Sequence, residues 1–346
     1  MSAPVERSCM NVAVLAHERF PDHAKTAVGV LRYADYDVTA VLDRDRAGDR
    51  VSDYLPDVQD APIVAGIEAV PDPVDALVIG IAPIGGDFDE SWRPDVRGAI
   101  ERGCDVLSGL HYFLAEDDEF AALADDHGVE LRDLRRPPAD LTVAEGESRE
   151  VDADVVLTVG TDCSTGKMTT SAELVAAARE RGIDAALIPT GQTGVLIEDW
   201  GIVVDRVPSD FVAGAVERMI RDRGDDHDLL VVEGQGSITH PAYSAVTCGI
   251  LHGAMPDGLV LCHEAGREAI HGYDSFEIPP IPEVVSLYED LAAPVAETTV
   301  AAGALNTSGL DDADANQAVI EYATAIDAPA TDPVRFGADE LLDALV

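Results

Sequence analysis

The segment Gly160-Thr161-Asp162-Cys163-Ser164-Thr165-Gly166-Lys167-Met168-Thr169-Thr170 carries the strongest chemical signal in the sequence. A glycine-bearing turn that ends in Gly-Lys and opens a helix presents backbone N–H groups and one ammonium to an anion. Gly166 allows close backbone approach, and Thr169 or Thr170 offers a hydroxyl to a phosphate or a metal. The pattern departs from the usual loop in two places. Thr161 stands where the first glycine belongs, with Gly160 one residue earlier, and Met168 replaces the Ser or Thr that normally follows the lysine. The segment therefore reads as a phosphate cradle rather than a conventional Mg-ATP hydrolase site.

A second constellation follows the apolar run Leu229 to Val232: Glu233-Gly234-Gln235-Gly236-Ser237. A carboxylate at a strand end beside a phosphate loop can hold Mg²⁺, together with Thr169, or accept a proton. Seven residues on stands His240, whose imidazole is the natural general base near neutral pH. Four of the nine histidines fall between His240 and His271. Cys248 with His252, and Cys262 with His263, match no structural zinc spacing, so these side chains are read as orienting or structural groups. His263, at the end of its own strand, is the second candidate for chemistry. Arg267 and Arg206 are candidates to hold a substrate carboxylate through the guanidinium fork. Gln235, and Gln192 within Thr190-Gly191-Gln192-Thr193-Gly194, are placed to line the same cleft.

These residues need strands to deliver them. The runs Asp154 to Val159, Ala185 to Pro189, Leu229 to Val232, Gly258 to Cys262 and Thr298 to Leu305 read as strands. Helices are expected at Thr169 to Arg181, Phe211 to Arg223, Val284 to Leu291 and Ala313 to Thr324. An earlier series has strands at Asn11 to Ala16, Asp37 to Leu42, Ala76 to Ile81 and Asp105 to Ser108. Its helices are expected at Thr26 to Tyr33, Pro94 to Arg102 and Phe120 to Asp126. Strands alternating with helices imply mostly parallel sheets, with ligand loops at the C-terminal strand ends. The expectation is an α/β chain with a Rossmann-like domain over 1–138 and a P-loop NTPase-like domain over 139–346. Arg135 to Glu150 is the linker candidate, with one strand at Asp140 to Ala144. Gly85-Gly86 closes a strand and is a second place where a ligand could approach backbone.

The chain has 346 residues and a net charge of -43, from 66 acidic against 23 basic side chains. That balance excludes nonspecific binding to nucleic acid or to an anionic membrane surface, both of which rely on Lys and Arg. Lys25 and Lys167 are the only lysines. Acidic, lysine-poor composition with regular apolar runs reads as adaptation to high salt, where a Debye length of about 3 Å screens self-repulsion. Five scattered cysteines without a CxxC pair fit reduced thiols. No run is apolar for the 18 or so residues that cross a bilayer, and the start shows no secretory pattern. A cytoplasmic protein, possible as a homo-oligomer, acting on a small-molecule substrate is the expectation.

Thr161-Asp162 with Gly166-Lys167 and Glu233-Gly-x-Gly resembles the dethiobiotin synthetase and cobyric acid synthase group, in which the corresponding Glu and Thr surround metal and nucleotide. In P-loop relatives an Asn at the position of Asn306 can touch a purine. The tail Gln235 to Tyr243, with Leu251-His252-Gly253 and Leu261 to Arg267, narrows the likeness. With the phosphate loop it resembles the D-glutamate N-acetyltransferase-like P-loop family over nearly the whole chain. That resemblance implies an N-terminal Rossmann-like domain, acetyl-CoA as cofactor, and acetyl transfer to the amino group of a D-amino acid. His240, Glu233 and Lys167 are then the catalytic candidates. An ATP- and Mg-dependent ligase or kinase, and a nucleotide-binding sensor without turnover, remain the alternatives.

Overall fold

The structure, a computed structural model, describes residues 10–83 and 86–346. Gly85 lies outside the described residues. Two compact units are present: residues up to Arg136 with Val195–Trp200, and Pro137–Gly194 with Gly201–Val346.

In the first unit, β1 (Asn11–Leu15), α1 (Lys25–Tyr33), β2 (Asp37–Leu42), β3 (Ile63–Val64), β4 (Ala76–Ile79), α2 (Arg93–Glu101), β5 (Asp105–Ser108), α3 (Asp118–His127) and β6 (Leu131–Asp133) follow in chain order. The strands form one parallel sheet ordered β3-β2-β1-β4-β5-β6. This is the Rossmann-like arrangement that the alternation implied. Val12, Val14, Leu15, Leu77, Val78 and Ile79 are fully buried because helices cover both faces.

The second unit contains β7 (Asp154–Gly160), α4 (Lys167–Glu180), β8 (Ala185–Ile188), α5 (Gln192–Glu198, whose last residues group with the first unit), α6 (Val212–Gly224), β9 (Leu229–Val232), α7 (Ser244–Ala254), β10 (Gly258–Glu264), the hairpin β11 (Ala269–Ile270) and β12 (Tyr273–Glu277), α8 (Ile281–Ala292), β13 (Val300–Asn306), α9 (Asp312–Ile326), β14 (Ala330–Thr331) and α10 (Asp339–Asp343). Its main sheet is parallel and ordered β14-β13-β10-β7-β9-β8. The two central strands, β7 and β10, are flanked by β9 and β13, so four strand ends deliver side chains to one edge. Helix α4 buries Thr170, Ser171, Leu174, Val175 and Ala178, the 3.6-residue stripe of a helix laid on a sheet.

The structure departs from the sequence reading in four respects. Residues 140–144 form no strand. The N–H groups of Glu145, Gly146 and Glu147 go instead to the buried carboxylate of Glu217, which holds this segment without a sheet partner. Helices α5, α7 and α10 were not expected; in α7, Thr247, Cys248, Gly249 and Gly253 dilute the helical signal. The hairpin β11–β12 was also missed; all of β12 is exposed, so burial leaves no alternation to read. Strands β3, β6 and β14 have two or three residues each, too few for a periodicity. Among the described residues no helix is long and apolar enough to cross a membrane.

Candidate active site

Strand β7 ends at Gly160, and residues 161–166 turn into α4. Two left-handed residues shape the turn: Ser164 at φ 56° and Gly166 at φ 101°. The first N–H groups of a helix have no intrahelical partner. Here no side chain caps them and no acidic residue occupies the first turn of α4. This is the electrostatic arrangement that attracts an anion. Lys167 folds back under the loop, and its Nζ donates to the Asp162 carbonyl at 2.7 Å. A Cβ at Gly160 would sit 2.8 Å from that Nζ and 2.8 Å from Thr165 Oγ1, so only glycine lets the lysine lie there. Thr165 Oγ1 also donates to the Asp162 carbonyl. Met168 and Thr169 are half-buried, while Thr170 is buried, within reach of Cys262 Sγ.

Asp162 is the hub of the loop and is fully buried. Its Oδ1 accepts the N–H of Cys163 at 2.6 Å, and its Oδ2 accepts the N–H of His271 at 2.7 Å and Nη1 of Arg267 at 3.1 Å. Arg267 Nη1 also donates to the Cys163 carbonyl at 2.7 Å, and Nη2 binds Glu264. The arginine thus ties the loop to the segment after β10. Thr161 Oγ1 pairs with His263 Nδ1 at 2.8 Å. Burial, with Arg267 beside it, pushes the His263 imidazole down to about 4. Asn306, at the end of β13, aligns with Glu264 and accepts the Ser308 N–H at 3.0 Å.

Strand β9 delivers Glu233, which is buried. Its Oε2 accepts the N–H groups of Thr190 at 3.1 Å and Gly191 at 3.0 Å, and its carbonyl accepts the Thr190 hydroxyl. The carboxylate therefore holds the turn at 190–191 that opens α5, whose first residue is the buried Gln192. Gln235 Nε2 reaches Thr190 Oγ1 at 3.3 Å. A Cβ at Gly234 would meet the Thr158 carbonyl at 1.8 Å, so glycine lets the β9 loop pass against β7.

His240 is buried. Its Nδ1 accepts the N–H of Ala242 at 3.1 Å, and its ring stacks on Tyr243 with centroids 4.5 Å apart. Tyr273 of the exposed strand β12 meets it edge-on at 5.2 Å. A neutral imidazole whose Nδ1 accepts keeps its proton on Nε2, so Nε2 is a donor. Burial, with Lys167 and His271, lowers this imidazole from its ordinary value against the opposing pull of Asp162. Among the described residues, one ligand-type atom each of Asp162, Cys163 and His240 lie within 4.8 Å of one another.

The sequence reading had no place for Tyr288. This fully buried residue of α8 donates its hydroxyl to the Gly160 carbonyl at 2.7 Å and accepts the Ile238 N–H at 3.1 Å, bracing the loop against the segment before His240. Arg206 lies exposed in a short turn at 204–206.

Residues 142–342 match the family described as a domain of unknown function, DUF1611_C, a P-loop domain. Residues 44–137 match its partner, DUF1611_N, a Rossmann-like domain. The chain is similar to a protein named D-glutamate N-acetyltransferase from Tritonibacter scottomollicae, with 39% identity over 275 residues, 78% of this chain and 80% of that one. A protein of the same name from Pseudoalteromonas sp is 36% identical over 269 residues, 77% of this chain and 80% of that one. The crystal structure of a DUF1611 family protein from Anabaena variabilis superposes with a TM-score of 0.92 at 40% identity, covering 97% of this chain and 99% of that one.

Proposed function

The chain belongs to the DUF1611 family, and from that premise we propose that it is an N-acetyltransferase, moving an acetyl group from acetyl-CoA to the amino group of D-glutamate. The names of the two relatives support the reaction class. The observation that carries the choice of donor is the residue after the loop lysine. Met168 stands where a hydroxyl would hold Mg²⁺, and a thioether is a poor ligand for so hard a cation. Of the two metal candidates, Thr169 and Glu233, the carboxylate already accepts two backbone N–H groups. The residues thus fit an anion cradle better than a Mg-nucleotide site.

Acetyl-CoA supplies an activated thioester, and it offers two anions to such a cradle: its phosphates, and the oxyanion that develops on the thioester during transfer. The pantetheine arm separates them by roughly 15 Å at ordinary bond lengths. His240 adjoins the loop at Asp162 and Cys163, which favours the oxyanion as the occupant. In this reading the loop N–H groups, Lys167 and Nε2 of His240 stabilise that charge, and His240 serves as donor instead of base. Glu233 positions the turn at 190–191 that opens α5, with Gln192 and Gln235 facing the acceptor. His263 and Arg267 fix the shape of the phosphate loop, and Asn306 braces the segment after β10 by accepting the Ala265 N–H.

The test is mass spectrometry of D- and L-glutamate incubated with acetyl-CoA, without nucleotide or metal. N-acetyl-D-glutamate with stoichiometric CoA release is expected. Product that appears only with Mg-ATP would establish the ligase alternative, and saturable acetyl-CoA binding without product would establish the sensor.

A further inference from the structure

We propose that Cys163 carries the acetyl group between donor and acceptor as an S-acetyl-cysteine. The inference deepens the N-acetyltransferase reading and rests on it. Three observations support it. The Cys163 sulfur belongs to the group whose atoms lie within 4.8 Å of one another, with an imidazole nitrogen of His240 and a carboxylate oxygen of Asp162. A thiol this close to an imidazole, in a turn that opens a helix, is a candidate nucleophile for acyl transfer. The backbone of Cys163 is gripped from both sides, its N–H by Asp162 at 2.6 Å and its carbonyl by Arg267 at 2.7 Å. The grip fixes where the sulfur can go. Thirdly, Cys163 is half-buried although Thr161 and Asp162 before it are fully buried, so a thioester can reach it.

The other described cysteines are built differently. Cys104 and Cys262 are fully buried strand-end or strand residues, and burial pushes the Cys262 thiol up to about 11. Cys248 lies in α7, and burial raises its thiol too.

The chemistry balances without a further reactant. The S–H bond of Cys163 breaks as the reaction begins, its proton passing to solvent. The thiolate attacks the acetyl carbonyl carbon of the donor. A C–S bond to Cys163 forms, the C–S bond to CoA breaks, and the electron pair leaves on the CoA sulfur, which takes a proton from solvent. The neutral amine of the acceptor then attacks the acetyl-cysteine. A C–N bond forms, the C–S bond to Cys163 breaks, the thiolate returns, and the surplus amine proton passes to solvent.

The experiment mixes the protein with acetyl-CoA and no amine, quenches with acid, and reads intact mass and peptide mass. One acetyl group on the peptide bearing Cys163, removable by hydroxylamine, is expected, with one CoA released per site. Adding D-glutamate should discharge it into product. Cys163→Ser preserves the loop, so it should bind CoA within a fewfold of wild type, yet lose the label and at least about a hundredfold in turnover. N-acetyl product formed by wild type with no acetyl on Cys163, or a Cys163→Ser enzyme at wild-type rate, overturns the role of the thiol and leaves the acetyltransferase reading intact. A wild-type protein that makes no N-acetyl product overturns both.

Discussion

Oδ2 of Asp162 and Nη1 of Arg267 meet at 3.1 Å, with the carboxylate fully buried and the guanidinium mostly so. The pair joins the loop after β7 to the segment after β10, and the same arginine holds the Cys163 carbonyl. Removing one partner of a buried pair leaves the other charge without compensation, at a cost of about 3–5 kcal/mol. Arg267→Ala should therefore lower unfolding stability by roughly that amount in urea titration. A change under about 1 kcal/mol would mean that the N–H groups of Cys163 and His271 suffice for the carboxylate.

Lys167 distinguishes the two anions that the loop can serve. If the loop stabilises the oxyanion, Lys167→Ala should lower kcat by about 10²–10³-fold while acetyl-CoA affinity stays within a fewfold. If it holds the donor's phosphates, the same variant should weaken binding at least tenfold, about 1.4 kcal/mol, with a smaller effect on kcat. We expect the first outcome, read from single-turnover rates beside calorimetric binding.

The phosphate loop was legible because its signal is local: strand, glycine, lysine and helix lie in one stretch from Asp154 to Glu180. The longer strands of both sheets were legible for the same reason, since strands buried on both faces read as short apolar runs, whereas the short edge strands β3, β6 and β14 were not. The partners of the loop were not. Arg267 meets Asp162 across 105 residues and Tyr288 meets Gly160 across 128, contacts that chain spacing does not encode. His240 was visible as a candidate, but its tautomer depends on the Ala242 N–H, a matter of turn geometry that residue type does not reveal. Arg267 was read as a grip for substrate because a guanidinium looks the same in sequence whether its partner is a ligand or Asp162.

The net charge of -43 predicts a strong salt response. Screening shortens the range of repulsion among surface carboxylates to about 3 Å near 1 M salt. The melting temperature should rise with KCl from low to molar concentration. A flat or falling trend would assign the acidic composition to another cause.

His263 predicts a specific loss of stability in acid. Its folded-state value is about 4, below the ordinary 6.5, so the unfolded chain takes up this proton first. The stabilisation is complete above pH 6.5 and is lost as pH falls toward 4, by at most about 3 kcal/mol. Carboxylates titrate in the lower part of this window, so the comparison must be with His263→Asn. The difference in unfolding free energy between the two proteins should shrink from pH 7 to pH 4. A constant difference would show that burial and Arg267 do not hold His263 neutral.

His240 gives the sharpest test of mechanism, because donor and base respond oppositely to substitution. As a donor it must be neutral with its proton on Nε2, and burial lowers its proton affinity below the ordinary value. The rate should thus stay level from pH 8 down to 6.5 as far as this group is concerned, and fall only below that. His240→Asn keeps an N–H donor and cannot titrate. It should retain more activity than His240→Ala, which should lose about 10²–10³-fold in kcat, and it should lack the acid limb of the wild-type profile. A base would give another pattern: Asn and Ala equally inactive, with wild-type rate tracking an imidazole that must accept a proton. Since Nδ1 is already taken by the Ala242 N–H, that pattern would require the turn at 240–242 to open during catalysis. Hydrogen exchange at the Ala242 amide, slow in the resting protein and accelerated during turnover, would then be the signature to find.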